Sequence, residues 1–452
     1  MRIELSIPQD FLDILSWIGG IFYGDISRRF VNGICTDSRE CQPGDIFFAI
    51  EGKNIDGNRF IPEAISRGAI PVGRGVGRYG IRVDSGEEAL ISCASFYKNA
   101  LPHLLHTAAI TGSVGKTTTK EFLKCLSSVK CKTHATSGNY NNGIGTAITV
   151  LSAPSDTEIL ILEFGMNHSG EIGRLSSAFT PDSAVITKIG SAHIGHLGSR
   201  ENIAKAKLEI KDGLRGGLLL PFEEELLSTD YRYVKHFSSK SPLADVAVIK
   251  NAFDQLELYI DGGLYSIFNF QNKADHILEC LTAAIITALE IGILPEEIMK
   301  GVCNINGDSF RHQILKSTLG YTILDDSYNA SYESIKAAMD MLREITGAKR
   351  KNALLGDILE LGDMSYNIHY SVGRLASLYE LHYLFLLGEH AEAVFDGAAE
   401  NGFDKERIFI LNDLPSYRSI SEFIKDKMQA DDIILIKGSH AMNLGRISEL
   451  MR

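Results

Sequence analysis

The chain has 452 residues, of which 44% are hydrophobic and 23% are charged, a composition that excludes collagen-like, low-complexity and wholly disordered proteins. At roughly 150 residues per domain, this length predicts about three domains. The formal net charge of -12 argues against a general nucleic-acid-binding protein, which needs a basic face to meet phosphates, and we expect no nucleic-acid partner.

The first element that the sequence predicts is an amphipathic helix over Pro8 to Ile18. Glu4, Asp10 and Asp13 interrupt the apolar stretch that a signal peptide would need. No run of 18 apolar residues is present, so we expect no membrane insertion and a cytoplasmic location. The seven cysteines are odd in number and form no CxxC pair, which favours reduced, mostly buried thiols over a disulfide framework or a zinc ribbon.

The region up to residue 104 alternates short β-like runs, such as 46–50, with turns rich in Gly and Asp, and a helical pattern follows at Gly86–Lys98. Short β-like runs separated by turns and followed by a helical pattern are typical of a small α/β unit. We therefore predict a first domain over residues 1–104.

From His106 the pattern changes to long apolar strands followed by helices, with strands at 107–111, 158–164 and 182–190 and a helix at Thr117–Ser128. Continuous Val, Ile and Leu runs are typical of parallel strands buried on both faces. This pattern predicts a central domain over residues 105–313, built on a parallel sheet.

A second α/β series follows and predicts a doubly wound, Rossmann-like domain over residues 314–452. Its predicted strands are 321–326, 352–357, 382–389, 407–411 and 432–439. The predicted fold class is thus α/β in three domains.

The strongest chemical signal is a glycine-rich turn from Thr111 to Thr118, between a predicted strand and a predicted helix. Glycines let the main chain approach phosphate oxygens, Lys116 can reach the β- and γ-phosphates, and the Thr117 hydroxyl can bind Mg²⁺. Ile110 stands where the strict phosphate-loop pattern has glycine, so the loop is a shortened variant. The alternative is a tight turn with an accidental Gly-Lys-Thr.

Polar residues at the carboxyl ends of the next two strands add to this signal. Glu163 ends the second strand and His193 follows the third, where ligands bind in open α/β sheets. Their position beside a phosphate loop favours a Mg²⁺ and phosphate site. For Lys205 and Lys207, in the helical segment that follows, the residues alone favour a solvated helix face.

Motifs spread over more than 400 residues resemble the Mur ligases, the ATP-dependent amide-forming family of peptidoglycan synthesis. The Asp325–Ala330 motif (DDSYNA) favours the branch that adds D-alanyl-D-alanine. The matching segments lie at 36–39, 43–49, 56–57, 68–69, 110–121, 138–145, 163–166, 170–172, 192–193, 325–330, 355–357, 360–362, 369 and 437–439.

The resemblance implies a role for each matching residue. It implies catalytic roles for Lys116, Glu163, His193 and Lys207, and Mg²⁺ binding by Thr117, Glu163, His193 and Lys207, the last aligning with a lysine carbamylated in several sister ligases. It implies ATP binding by Thr111, Gly112, Ser113, Val114, Gly115, Lys116, Thr117, Thr118, His276, Arg311, Asp326 and Asn329. It implies substrate binding by Thr36, Asp37, Ser38, Arg39, Asp56, Gly57, Asn141 and Asn142.

The activity that the resemblance implies is an ATP-dependent ligase with Mg²⁺ as cofactor. It would join D-Ala-D-Ala to UDP-N-acetylmuramoyl-tripeptide through an acyl phosphate, as a monomer. Because the implied ATP contacts fall on both sides of residue 313, we expect the third domain to close on the central one and exclude water.

The chain also departs from the family pattern. Ile277 and Cys280 replace two asparagines that contact adenine, and His440 replaces an arginine, while Asn58 and the pair Ser331-Tyr332 are further changes. Neither Ile nor Cys offers the paired donor and acceptor that read an adenine edge. Two alternatives therefore stay open: a ligase for a different amino acid or carboxylate, and a catalytically weak relative used as a binding protein.

Overall fold

The computed structural model describes residues 1–25, 30–52, 55–305 and 313–452. Within these ranges the strands form three sheets that follow one another along the chain, each covered by helices. This confirms the predicted three-domain α/β fold.

The first sheet has the order β1-β3-β4-β5-β6-β2, with β3 to β6 parallel and β1 and β2 antiparallel at the edges. Its strands are β1 Arg2–Asp10, β2 Ile21–Tyr23, β3 Phe30–Cys35, β4 Ile46–Phe48, β5 Ile70–Gly73 and β6 Gly80–Arg82. Its helices are α1 Phe11–Ile18, α2 Ile61–Ser66 and α3 Gly86–Ala100.

The predicted N-terminal helix begins later than expected. Residues 8–10 belong to β1, where Gln9 pairs with Val31 and Asp10 with Phe30. The Asp10 carboxylate then accepts the main-chain N–H of Leu12 at 2.9 Å and starts α1 at Phe11. The part of the prediction from Pro8 to Asp10 was wrong, because pairing with a distant strand overrode the local helical pattern.

The central sheet has the order β15-β14-β13-β12-β11-β10-β7-β9-β8. Its strands are β7 His106–Thr111, β8 Thr133–Ala135, β9 Ile159–Glu163, β10 Ser183–Ile186, β11 Gly217–Pro221, β12 Val234–Ser238, β13 Val246–Lys250, β14 Leu256–Ile260 and β15 Gly263–Phe268. Its helices are α4 Lys116–Ser127, α5 Gly143–Leu151, α6 Glu171–Phe179, α7 Ile194–Leu197, α8 Arg200–Leu208, α9 Asp275–Ile291 and α10 Pro295–Asn304.

Strands β7 to β13 of this sheet are parallel to one another, and β14 and β15 extend the sheet in antiparallel pairing. β7 lies between β9 and β10, and all three are fully buried except His106 at the start of β7. Their carboxyl ends therefore meet at one edge, and this edge carries the phosphate loop, Glu163 and the segment leading to His193.

The third sheet has the order β16-β17-β21-β18-β19-β20, parallel except for β16. Its strands are β16 Gln313–Lys316, β17 Thr322–Asp325, β18 Lys351–Gly356, β19 Leu381–Leu387, β20 Ile408–Ile410 and β21 Ile433–Lys437. Its helices are α11 Tyr332–Glu344, α12 Ser365–Ala376, α13 Ala391–Glu400, α14 Tyr417–Lys427 and α15 Gly445–Met451.

The three domains contact one another differently. α3 of the first domain packs along α5 and α6 of the central domain, while the third domain touches the central one mainly where α7 meets the short 3-10 helix Gly362–Met364. All seven cysteines are free thiols and four of them are buried, as expected. Among the described helices, none combines the length and apolarity needed to cross a membrane.

Candidate active site

The glycine-rich loop connects β7 directly to α4, in the predicted order of strand, loop and helix. Gly112 and Gly115 have φ values of +146° and +90°. A Cβ atom at Gly112 would lie 2.0 Å from the Thr187 hydroxyl, and one at Gly115 would lie 2.8 Å from the sulfur of Cys280. Only glycine fits these positions without a shift of the neighbouring atoms.

The acidic end of β9 is joined to this loop by hydrogen bonds. Thr117 Oγ1 donates to Glu163 Oε2 at 3.0 Å, and Asn141 Nδ2 donates to Glu163 Oε1 at 3.0 Å. Lys116 Nζ donates to the main-chain oxygen of Gly112 at 2.6 Å. The structure thus brings Lys116, Thr117 and Glu163 together at the edge of the sheet where the sequence predicted them, and Asn141 joins them.

His193 precedes α7 and faces the third domain. Its Nδ1 lies 2.6 Å from Glu360 Oε2, and its backbone is left-handed with φ +65°. Burial lowers the pKa of His193, an effect that the Glu360 carboxylate opposes. The neutral ring is therefore favoured, and a neutral ring nitrogen can bind a metal ion.

Lys207 lies inside the protein, whereas Lys205 on the same helix is exposed. The expectation of a solvated helix face was therefore wrong for Lys207, whose exposed fraction is 1%. Burial, followed by the nearby Lys116 ammonium, lowers the pKa of Lys207 well below its ordinary value, while Glu163 raises it. A lysine that is buried beside another cation is favoured in its neutral form.

These residues surround a cavity of about 620 Å³ between the central and third domains. The central domain contributes the loop from Ser113 to Thr118 together with Glu163 and His193, and the third domain contributes Asp326, Asn329 and Lys437. Thr111 and Gly112 support the loop from behind, where Thr111 Oγ1 donates to the main-chain oxygen of Phe164 at 2.8 Å. The cavity is large enough for a nucleotide.

Asp326 is held at the cavity wall by Lys437. Lys437 Nζ donates to Asp326 Oδ2 at 2.6 Å and to the main-chain oxygen of Asn329 at 2.9 Å, and the lysine is itself buried. Arg311, which the resemblance implies as the partner of Asp326 in ATP binding, lies outside the described residues.

The other end of the cavity contains the positions where the chain departs from the family pattern. Ile277 and Cys280 line it from the first turns of α9, together with His276, which matches the pattern. A lysine–glutamate pair stands beside them, with Lys188 Nζ 2.9 Å from Glu279 Oε2. The pair places a donor and an acceptor in the cavity lining beside Ile277 and Cys280, which offer no such paired groups.

The predicted substrate residues separate into two groups. Asn141 and Asn142 line the cavity, whereas Thr36, Asp37, Ser38, Arg39, Asp56 and Gly57 lie in the first domain, outside the cavity lining. Asp37 accepts hydrogen bonds from Arg39, which lower the pKa of that carboxyl to about 2. Asp56 instead caps the 3-10 helix Gly57–Phe60.

Two glutamates of the third domain were not predicted as site residues. Glu360 bonds His193, and Glu333 accepts from the main-chain N–H of Ser191 at 2.9 Å and from its hydroxyl at 3.0 Å. A Cβ atom at Gly190 would lie 2.8 Å from the Glu333 side chain. Glu360 stands within a matching motif, whereas Glu333 is an ordinary acidic residue in the first turn of α11, and no sequence signal identifies it.

The residues present fit ATP phosphates and Mg²⁺. The Ser113 hydroxyl is buried in the loop without a hydrogen-bond partner among the described residues, as expected of a donor aimed at an anion. The described His, Cys, Asp and Glu residues form no cluster of three that could hold a metal ion alone. Mg²⁺ commonly takes one or two carboxylates and completes its ligands with phosphate oxygens and water, and Glu163 with Thr117 suits that pattern.

Comparison with known families gives three matches along the chain. The Mur ligase family, catalytic domain, matches residues 30–73; the Mur ligase middle domain matches residues 110–286; and the Mur ligase, glutamate ligase domain, matches residues 310–440. Together they extend over parts of all three sheets.

Curated relatives match over nearly the full length. The UDP-N-acetylmuramoyl-tripeptide--D-alanyl-D-alanine ligase of Bacillus subtilis is 33% identical over 434 residues, covering 93% of both chains. The ligase of the same name from Treponema pallidum is 31% identical over 451 residues, covering 94% of both chains.

Solved structures match in the same way. A crystal structure of MurF from Acinetobacter baumannii aligns with a TM-score of 0.87 at 26% identity, covering 99% of this chain and 100% of that one. MurF ligase from Thermotoga maritima in complex with ADP aligns with a TM-score of 0.79 at 25% identity, covering 92% and 96%.

Proposed function

This chain belongs to the Mur ligase family, and we propose that it joins D-alanyl-D-alanine to UDP-N-acetylmuramoyl-tripeptide at the expense of ATP. The observation that carries the proposal is the cavity between the central and third domains, where Lys116, Thr117, Glu163 and His193 meet. The full-length similarity to ligases of this specificity supports the choice of substrates.

The reaction has two steps. The substrate carboxylate attacks the γ-phosphorus of ATP, so that a new C–O–P link forms and ADP leaves. The amine of D-Ala-D-Ala then attacks the carbonyl carbon of the acyl phosphate, inorganic phosphate leaves and the amine loses a proton. Both steps concentrate negative charge on oxygen atoms, which fixed positive charges stabilise.

The residues of this chain provide that environment. Lys116 and the loop N–H groups bind the phosphates, and the Ser113 hydroxyl adds a further donor. Thr117, Glu163 and His193 would hold Mg²⁺, which neutralises phosphate charge when bound. Asp326 and Asn329 contribute from the third domain, and closure of this domain removes water that would hydrolyse the acyl phosphate.

Lys207 has a separate role in the proposal. A buried, neutral lysine amine can add to carbon dioxide, forming an N–C bond and releasing one proton, and the resulting carbamate is an anion. An anion at this position would be attracted to Lys116 and could contribute an oxygen ligand for Mg²⁺. Protein equilibrated with ¹³C-bicarbonate should show a carbamate carbon signal that is lost in Lys207→Gln; the same spectrum for both proteins would contradict this role.

The first domain would hold the UDP-sugar end through Thr36, Asp37, Ser38, Arg39, Asp56 and Gly57, with Asn141 and Asn142 nearer the reacting carboxylate. We also propose a cytoplasmic monomer. The location is supported by ATP as the substrate and by seven free thiols, and the monomer by a cavity built from one chain. Light scattering of the purified protein tests the oligomeric state.

The function is tested by phosphate release from ATP with Mg²⁺, UDP-N-acetylmuramoyl-tripeptide and D-Ala-D-Ala, omitting each component in turn. We expect release only when all components are present. We expect Lys116→Ala to lower the rate by about 10³-fold, because it removes a fixed charge that acts on the transition state.

Lys124→Ala is the matched control, since Lys124 is exposed on the same helix, α4. It should leave the rate within twofold of the wild type. Equal release without the dipeptide, or no release with either lysine- or diaminopimelate-containing tripeptide, would overturn the proposed function.

A further inference from the structure

One hydrogen bond connects the third domain to a proposed Mg²⁺ ligand. Glu360 Oε2 lies 2.6 Å from His193 Nδ1, although the two residues are 167 positions apart and belong to different domains. Since a carboxylate can only accept, Nδ1 carries the proton in this pair. The lone pair of the neutral ring is then on Nε2, and His193 lines the cavity.

The backbone around this contact is strained on both sides. His193 has φ +65° and Glu360 has φ +64°, a left-handed conformation that residues with a Cβ atom rarely adopt. Such strain persists where the surroundings determine the conformation, and it is concentrated at functional sites. Here two strained residues face each other across a domain boundary, which distinguishes the contact from an ordinary surface pair.

A main-chain hydrogen bond beside the His193–Glu360 contact also sets the distance between the two domains. The N–H of Gly195 donates to the main-chain oxygen of Glu360 at 3.0 Å. A Cβ atom at Gly195 would lie 2.5 Å from that oxygen, so only glycine allows it. Glu360 is therefore held by its main chain while its side chain reaches His193.

The segment that carries Glu360 is fixed within the third domain. His369 is buried, accepts the N–H of Ile358 at Nε2 at 2.9 Å, and donates from Nδ1 to the main-chain oxygen of Ser365 at 2.7 Å. The N–H of Leu359 donates to Ser439 Oγ at 2.9 Å. These bonds place Glu360 at the end of a supported loop, so its position follows that of the whole domain.

We propose that Glu360 is a positioning residue for His193: when the third domain is closed, its carboxylate accepts the Nδ1–H hydrogen bond and orients the ring, which leaves Nε2 for the cation. The proposal rests on the proposed function for the identity of that cation. It makes the metal site a product of domain closure, because one of its ligands is set by a residue of the other domain.

The test measures Mn²⁺ affinity by electron paramagnetic resonance, with a non-hydrolysable ATP analogue bound and no turnover. We expect Glu360→Ala to weaken Mn²⁺ binding about 10- to 100-fold, the usual effect of losing the partner of a metal-binding histidine. Glu360→Gln should recover most of the affinity, because an amide oxygen also accepts a hydrogen bond from the Nδ1–H. In a His193→Gln background, Glu360→Ala should have no further effect.

Glu333→Ala is the matched control. Glu333 contacts Ser191 in the same segment of the central domain but does not touch His193, so its loss removes a neighbouring contact between the domains and leaves the His193–Glu360 bond in place. Mn²⁺ binding weakened equally by Glu333→Ala and Glu360→Ala, or unchanged in Glu360→Ala, would overturn the positioning role while leaving the ligase intact. A protein that shows the expected Mn²⁺ effects without ligase activity would overturn the proposed function alone.

Discussion

The first and third domains meet the central domain in opposite ways. At the junction between the first and central domains, α3 packs along α5 and α6. Polar groups of α3 donate hydrogen bonds to main-chain oxygens there, Ser95 Oγ to Ala178 at 2.5 Å and Lys98 Nζ to Phe179 at 2.5 Å. Ser6 Oγ of β1 likewise donates to the main-chain oxygen of Ala153 at 2.7 Å.

At the junction between the third and central domains, carboxylates at the rim of the cavity make the contacts. Glu333 binds Ser191 and Glu360 binds His193, and the Glu360 side chain is 43% exposed. Water can replace a partner of an exposed carboxylate at little cost, whereas the buried Lys98 ammonium would lose acceptors that water does not readily replace. We therefore expect the first junction to contribute more to stability and the second to open and close more easily.

The largest expected effect is on the stability of the first junction. Tyr97 is fully buried in α3 and its hydroxyl bonds with Ser6 Oγ at 3.0 Å, so Tyr97→Ala leaves a large cavity beside that seam. We expect a loss of about 3 to 5 kcal/mol in the free energy of unfolding. Urea titration followed by the fluorescence of Trp17, the single tryptophan of the chain, measures it.

Tyr366→Ala is the control for this measurement, because Tyr366 lies on α12 of the third domain and is 54% exposed. It should change the free energy of unfolding by less than about 0.5 kcal/mol. If both substitutions cost the same, the packing of α3 at the first junction is not what stabilises the protein.

An intermediate effect is expected on activity at the second junction. Gly195→Ala places a Cβ atom against the Glu360 main chain and prevents full closure. We expect the rate of ligation to fall about 10- to 100-fold, because misplacing reacting groups by an ångström has effects of that size. The melting temperature should not fall, since Gly195 lies in helix α7, where alanine is favourable.

Small-angle scattering with an ATP analogue and the tripeptide should show compaction in the wild type and not in Gly195→Ala. Gly77→Ala, where an added Cβ meets nothing within 4 Å, should behave as the wild type. Wild-type activity in Gly195→Ala would show that the junction need not close in this manner.

The smallest expected effect concerns pH. Burial lowers the pKa of Lys98 from 10.5 to about 8 in the folded chain. Below about pH 8 both folded and unfolded chains carry the proton and the cost of the buried charge is present in full. Between about 8 and 10.5 the folded chain binds fewer protons than the unfolded one, so this group makes stability rise with pH.

The free energy of unfolding of the wild type, measured relative to that of Lys98→Met, should therefore rise by on the order of 1 kcal/mol between about pH 7.5 and pH 9.5. Unfolding curves at the two pH values measure the difference. Lys124→Met, at an exposed position of α4, should show no such change against the wild type, and an equal change there would rule out burial as the cause.

The sequence predicted those parts of the molecule whose signal is local. Continuous apolar runs predicted β7, β9 and β10, and the glycine and lysine of the loop predicted its place between β7 and α4. The position of Glu163 beside the loop was predicted because the carboxyl ends of parallel strands meet at one edge of the sheet. Each of these inferences depends on residues close together along the chain.

What the sequence did not predict depends on distant pairing. Residues 8–10 belong to β1 and not to the expected helix, because β1 pairs with β3. Lys207 is buried by parts of the domain that are distant from it along the chain. The antiparallel extension β14–β15 was not predicted either. The contact of Glu333 with Ser191 joins positions 142 apart, and no spacing rule relates them.

Gly190, which lies between β10 and α7, and Gly195, which lies within α7, differ in how they could change during evolution. An added Cβ at Gly190 meets the end of the Glu333 side chain, so a second substitution at position 333 could restore the fit. At Gly195 the obstacle is the main chain of Glu360 and its neighbours, which every residue possesses. No compensating side-chain substitution can remove it, so position 195 can vary only in a descendant whose third domain closes along a different path.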